Sequence, residues 1–160
     1  MPNHCENDIY IYGPKSEINA FFKAVKTDQY LIDADRIIPY PAEFKALDDL
    51  AKAERAKGNW KVTDGYNSGG YDWCINNWGT KWGMYDFSPI RESKRGVKVS
   101  CQSAWSPPLP LILEASKQFP KLRFKVNYFE GGVGFKGVYE CKAGEVLDDT
   151  ESKYSGKRGG

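Results

Sequence analysis

Three stretches of this chain alternate side-chain type at every second position, and this alternation constrains the fold more than any other feature. Val97-Lys98-Val99-Ser100-Cys101-Gln102 is the cleanest. Asp8-Ile9-Tyr10-Ile11-Tyr12 and Leu122-Arg123-Phe124-Lys125-Val126-Asn127-Tyr128 repeat it. Successive side chains of a strand point to opposite faces, so each run describes a strand with one dry face and one wet face. Ile9, Ile11, Val97, Val99, Cys101, Leu122, Phe124, Val126 and Tyr128 should lie under helices. The opposite face should collect Tyr10, Tyr12, Lys98, Ser100, Gln102, Arg123, Lys125 and Asn127.

Helical spacing fills the gaps between these strands. Ile18, Phe21, Phe22 and Val25 recur along a helix from Ser16 to about Lys26. Ile37-Ile38-Pro39-Tyr40-Pro41 reads as an extended connection, because proline disfavours helix at the residue before it. A second helix runs from Ala42 to Lys57, with Phe44, Leu47, Leu50 and Ala51 as its apolar stripe. A third follows Pro107-Pro108, from about Leu109 to Gln118. The segment Asp64 to Gly70 is rich in Gly, Ser and Asn and reads as a mobile loop. Lys81 to Ile90 is expected to be a strand, paired as a hairpin with the Val97 run. Gly131-Gly132 should turn the chain into a last strand, Val133 to Cys141. Removing the insert at about 36–79 leaves βαββαβ, the α+β ferredoxin-like sandwich, with an extra C-terminal strand. The expected domain is 1–147, followed by a disordered polar tail at 148–160.

Composition narrows the function. The chain of 160 residues has 41% apolar content, enough for one domain with a core that needs neither disulfides nor metal. With 23 basic and 21 acidic residues it lacks the basic excess of a general nucleic-acid binder, which leaves only a local patch for that role. Cys5, Cys74, Cys101 and Cys141 form no C-x-x-C pair and read as buried reduced thiols. One histidine, His4, beside Cys5 is a weak zinc signal, so no metal and no cofactor are expected. No apolar run approaches a membrane span, and no export signal is evident. A cytoplasmic location is expected.

Several motifs carry a family likeness. They are Met1-Pro2-Asn3-His4-Cys5-Glu6-Asn7, Asn77-Trp78-Gly79-Thr80-Lys81-Trp82 and Ser103-Ala104-Trp105-Ser106-Pro107-Pro108. Phe119-Pro120, Tyr128-Phe129-Glu130-Gly131-Gly132 and Phe135-Lys136-Gly137 follow in order. Together they resemble the YubB-type ferredoxin-like family of phages, plasmids and bacterial symbionts. The chain departs from the family's habit at His4, where members usually carry Trp, and at Gly83, where they usually carry an acidic residue or Asn. The resemblance implies a mobile-element protein acting in a bacterial cytoplasm and no established activity.

Two candidate sites emerge. Trp78, Lys81, Trp82 and Trp105 could contact a bacterial host protein, since Trp is enriched at binding hot spots. The competing reading has the same tryptophans packing the insert onto the core. Tyr10, Tyr12, Lys98, Gln102, Arg123 and Lys125 form the alternative, a sheet face that could hold a nucleotide or single-stranded nucleic acid. Enzyme signatures are missing. A nucleophile-histidine site would have to use His4, and no phosphate-binding glycine loop opens a helix. Gly131-Gly132-Val133-Gly134 reads as a hairpin, and Asp33, Asp35, Glu43, Asp48 and Asp49 read as a solvated face. Glu130 beside Tyr128 has the chemistry of an acid or base but no partner groups in view. The expected function is therefore non-enzymatic: an accessory protein that binds and inhibits a bacterial target, with defence components the class suggested by a mobile-element setting. Exposed strand edges would permit a homodimer.

Overall fold

The structure is a computed structural model and describes residues 3–156. The chain runs β1 (His4–Tyr12), α1 (Lys15–Val25), α2 (Ala34–Ile37), α3 (Ala42–Ala56), a wide turn at Tyr66–Gly70 and α4 (Tyr71–Trp78). It continues with β2 (Arg91–Glu92), β3 (Gly96–Ala104), α5 (Leu109–Gln118), β4 (Arg123–Glu130), β5 (Phe135–Lys142) and β6 (Glu145–Lys153). The strands form one sheet in the order β2-β3-β1-β4-β5-β6, every neighbouring pair antiparallel. The order β2-β3-β1-β4, with α1 and α5 as connections, is ferredoxin-like. β5 and β6 extend it beyond β4.

The alternating runs sort as their pattern requires. Ile9 pairs with Val99 and Val126 in the buried layer, and Tyr10 pairs with Lys98 and Lys125 in the open one. Phe21 of α1 packs edge-on to Phe124, and Leu111, Ile112 and Ala115 of α5 are buried in the same core. Burial of such side chains stabilises the fold by about 1.5–3 kcal/mol each, and it is chiefly this that holds helices to sheet. Among the described residues no helix is long and apolar enough to cross a membrane.

Four expectations are corrected. The Lys81 to Ile90 segment is not a regular strand. It touches β3 through the Tyr85–Gln102 bridge and at Ser88, then pairs only over Arg91–Glu92. Asp86 takes a φ of 52°, and Pro89 lacks an amide, so a continuous ladder cannot form. In α3 the inward stripe is Phe44, Asp48 and Ala51, while Leu47 and Leu50 are exposed. The helix lies at the periphery, and its orientation is set by Asp48, which accepts from the Tyr66 amide. The segment Asp64 to Gly70 is held rather than loose: Asp64 accepts from the amide and side chain of Asn67 and from Arg55.

The expected disordered tail is instead β6, closed onto β5 by a two-residue turn. Ala143 and Gly144 have φ of 51° and 78°, the paired positive values of a tight hairpin turn that matches strand twist. Residues 157–160 of that expected tail, and Met1-Pro2 of the first family motif, lie outside the described residues.

Candidate functional site on the open sheet face

The face of the sheet away from the helices carries two clefts, and no residue of the insert lines either. The insert packs on the helical side instead, where Gln118 of α5 donates to the Ile37 carbonyl and Trp78 donates to the Ile38 carbonyl. The sheet face is therefore open.

The smaller cleft, about 420 Å³, lies at the Tyr12 end of β1. Tyr10 and Tyr12 project from alternate positions of β1, with ring planes 13° apart and centroids 6.2 Å apart. The Lys98 ammonium lies 5.4 Å from the Tyr10 centroid, and the Arg123 guanidinium 4.8 Å from that of Tyr12. Five cations line this cleft (Arg91, Arg95, Lys98, Arg123 and Lys125) against two carboxylates, Glu92 and Glu140. Lys98 pairs with Asp8 at 2.8 Å, and Arg123 with Glu140 at 2.6 Å. The hydrogen bond to Asp8 raises the Lys98 pKa, so its charge is secure at neutral pH. Arg91, Arg95 and Lys125 make no ion pair among the described residues.

The larger cleft, about 820 Å³, occupies the other end of the same face and has no basic excess, with Lys136 against Glu6, Asp8 and Glu151. Gln102 donates to Glu6 at 2.7 Å, and Ser100 donates to Asp8 at 2.5 Å. The Phe129 and Tyr154 rings stack at 4.8 Å on its far side. The side-chain oxygen Oδ1 of Asn127 in this lining is buried with no hydrogen bond among the described residues, a cost of about 1–3 kcal/mol unless something else satisfies it. Of the six expected ligand residues, Tyr10, Tyr12, Lys98, Arg123 and Lys125 meet in the basic cleft, and Gln102 lies in the larger one. Arg91, Arg95 and Phe129 were missed, and Asn127 was expected on this face but not among the ligand residues. Phe129 continues the outward set of β4 past Asn127, so one more step along the alternation finds it.

The tryptophan segment divides. Trp78 ends α4, is 8% exposed, and contacts Tyr40 and Trp73. Its indole N–H donates to the Ile38 carbonyl at 2.9 Å, so it packs the insert and keeps little exposed surface. The segment is not extended: Gly79, with φ 77°, caps α4 in the left-handed conformation, and a side chain there would strike Pro110. Trp82 is 39% and Trp105 43% exposed. The Lys81 ammonium lies 4.7 Å from the Trp105 centroid and 5.8 Å from that of Tyr71. Trp105 has a φ of 72°, a value that costs a bulky residue energy.

The family motifs meet here. Thr80 donates to the Ala104 carbonyl, Ser106 to that of Gly79, and Asn7 to the Ser103 hydroxyl. Glu130 accepts from the Gly132 and Val133 amides, so this buried carboxylate fastens the β4–β5 hairpin. His4 shares a 2.8 Å hydrogen bond with the Tyr85 hydroxyl, whose pKa burial pushes up to about 12. All four cysteines are free and buried, and burial pushes the Cys5 thiol up to about 12 and the Cys74 thiol up to about 11. Thiols so raised are poor nucleophiles.

Comparison with known proteins places this architecture. The family model described as the ferredoxin-like domain in Api92-like proteins matches residues 77–158. That span omits β1, yet β1 sits between β3 and β4, so the matched region and the preceding half share one sheet. The crystal structure of the protein Api92 from Yersinia pseudotuberculosis is similar over 98% of this chain and 99% of that one, at 11% identity and a TM-score of 0.56. No curated protein matches.

Proposed function

The chain belongs to the family of ferredoxin-like domains in Api92-like proteins, and from that premise we propose that it is a non-enzymatic binding protein whose open sheet face takes a nucleotide or a short single strand of nucleic acid. One observation carries the reading: Tyr10 and Tyr12 stand among five cations in an uncovered cleft. Aromatic rings stack bases at about 1–3 kcal/mol each, and cations meet phosphates. Lys125, Arg91 and Arg95 have no ion pair among the described residues to give up. The likeness to YubB-type proteins supports a phage or plasmid setting, with the ligand sequestered in a bacterial cytoplasm.

The test is fluorescence anisotropy with a labelled oligothymidine and with ATP. Binding should weaken steeply between about 50 and 200 mM salt and fall roughly tenfold with Lys125→Glu. No binding at low salt, or binding that ignores Lys125→Glu, would sink the reading.

A second reading is favoured by the strained, displayed Trp105 with Lys81 over its ring. In it, Tyr71, Lys81, Trp82 and Trp105 contact a host polypeptide such as a defence component. Native mass spectrometry of the protein taken gently from bacterial lysate separates the two. Added mass removed by ribonuclease supports the sheet-face reading. An added polypeptide lost with Trp105→Ala supports the second.

A further inference from the structure

On the helical side, the insert and the segment after Gly79 enclose a cleft of about 340 Å³ with Tyr40, Tyr66, Trp78 and Trp82 in its walls. Asp35 and Asp48 supply its negative charge. We propose that this cleft binds an organic cation, an alkylammonium group held against the ring faces and between the two carboxylates. It shares no lining residue with either sheet-face cleft, so it stands apart from the function proposed above.

Ring faces carry negative quadrupole potential and attract ammonium groups, most strongly where water is partly excluded. The Tyr40 and Trp78 centroids are 5.9 Å apart with planes tilted by 40°. Phe44 and Trp73 brace Tyr40 at 5.9 and 5.6 Å, so the inner walls are fixed. Trp82 is the exposed outer wall. Asp35 accepts from the Tyr40 amide at 2.7 Å and Asp48 from the Tyr66 amide at 2.9 Å. Each anchors one carboxylate oxygen; the other oxygen of Asp35 has no hydrogen bond among the described residues, and Asp48 also lies beside the Tyr40 hydroxyl.

A second observation points the same way. The Tyr40 hydroxyl is buried beside the Asp48 carboxylate, and among the described residues no group donates to its oxygen. Burial first, and the Asp48 charge second, push its pKa up, so it stays protonated and uncharged. An unpaired buried oxygen costs free energy that a cation held against its lone pairs would partly offset. Lys45 is the one cation in the cleft lining, and it makes neither an ion pair nor a ring contact among the described residues. Its ammonium does not fill the site and opposes a second cation.

The experiment is a titration with tetramethylammonium chloride, read by NMR at the indole N–H resonances, with sodium chloride at equal ionic strength as control. A saturable shift at Trp82 with tetramethylammonium alone is expected. Trp82→Ala and Asp48→Asn should each weaken binding about 3- to 30-fold, and Lys45→Gln should tighten it about 2- to 5-fold. The Trp78 indole resonance, bonded to Ile38, reports that each variant is folded. The proposal falls if sodium chloride gives the same shift, if no shift saturates, or if the Trp82→Ala/Asp48→Asn double variant binds as well as the parent. A short peptide containing trimethyllysine distinguishes the source. Tighter binding than tetramethylammonium identifies a polypeptide ligand, and equal binding a free amine.

Discussion

On the open sheet face, Tyr10 and Tyr12 project two residues apart from β1 into one cleft. At the tryptophan end, Trp78 and Trp82 are four residues apart and part company: one is bonded into the core and the other is exposed. A regular strand assigns each residue a face, so chemistry drawn from alternate positions must assemble. Where a helix ends at a left-handed glycine, spacing no longer fixes direction, and neighbouring residues of one type take different roles. The sheet face is thus a surface whose loss should cost binding alone. The tryptophan end is a joint whose loss should cost the fold.

The sharpest way to break that contrast is Trp78→Ala. It removes a buried indole and orphans the Ile38 carbonyl, so about 3–5 kcal/mol of stability should go, lowering the melting temperature by about 10 °C. A melting curve unchanged by this variant would dissolve the distinction. Next is Thr80→Val, which deletes the hydroxyl bonded to Ala104 and should cost about 1–3 kcal/mol in urea unfolding. Tyr10→Ala should behave oppositely. Its stability should shift by less than about 1 kcal/mol, while oligothymidine binding drops about 5- to 100-fold.

The smallest effect is acid loosening of the turn that leads into α4. The Asn67 amide, followed by Arg55 and the Asn67 side chain, holds the Asp64 carboxyl below its ordinary range. A depressed carboxyl stabilises the fold at pH above its unfolded value of about 3.9, and that contribution is lost as pH falls through the lower folded value. Hydrogen exchange at Asn67 and Ser68 should therefore quicken in acid before that of β1.

The residues explain what could be read beforehand. β1, β3 and β4 were legible because each is dry on one side only, and five of six expected sheet-face residues meet in one cleft for the same reason. β6 was not legible: nearly all of it is wet, and its one local signal is the Ala143-Gly144 turn. The direction taken by Trp78 depended on α4 continuing to Gly79, which the spacing of Trp78 and Trp82 alone does not show. Leu47 and Leu50 looked like a buried stripe because periodicity alone cannot say that a half-buried carboxylate, Asp48, faces inward. The family motifs were visible as words but not as one joint, since only the fold brings Gly79, Thr80, Ala104 and Ser106 together.

β6 ends the sheet, with its outer row of amides and carbonyls unpaired by any strand. Glu145, Asp148, Asp149 and Glu151 stand along it, against Lys153 alone. Two copies approaching edge to edge would set these acids against their own kind, and like charges facing one another across a ladder oppose pairing. The segment expected to be a disordered polar tail thus carries charges that oppose edge-to-edge growth of the sheet. Turning its four carboxylates into amides would leave the fold standing and remove the guard.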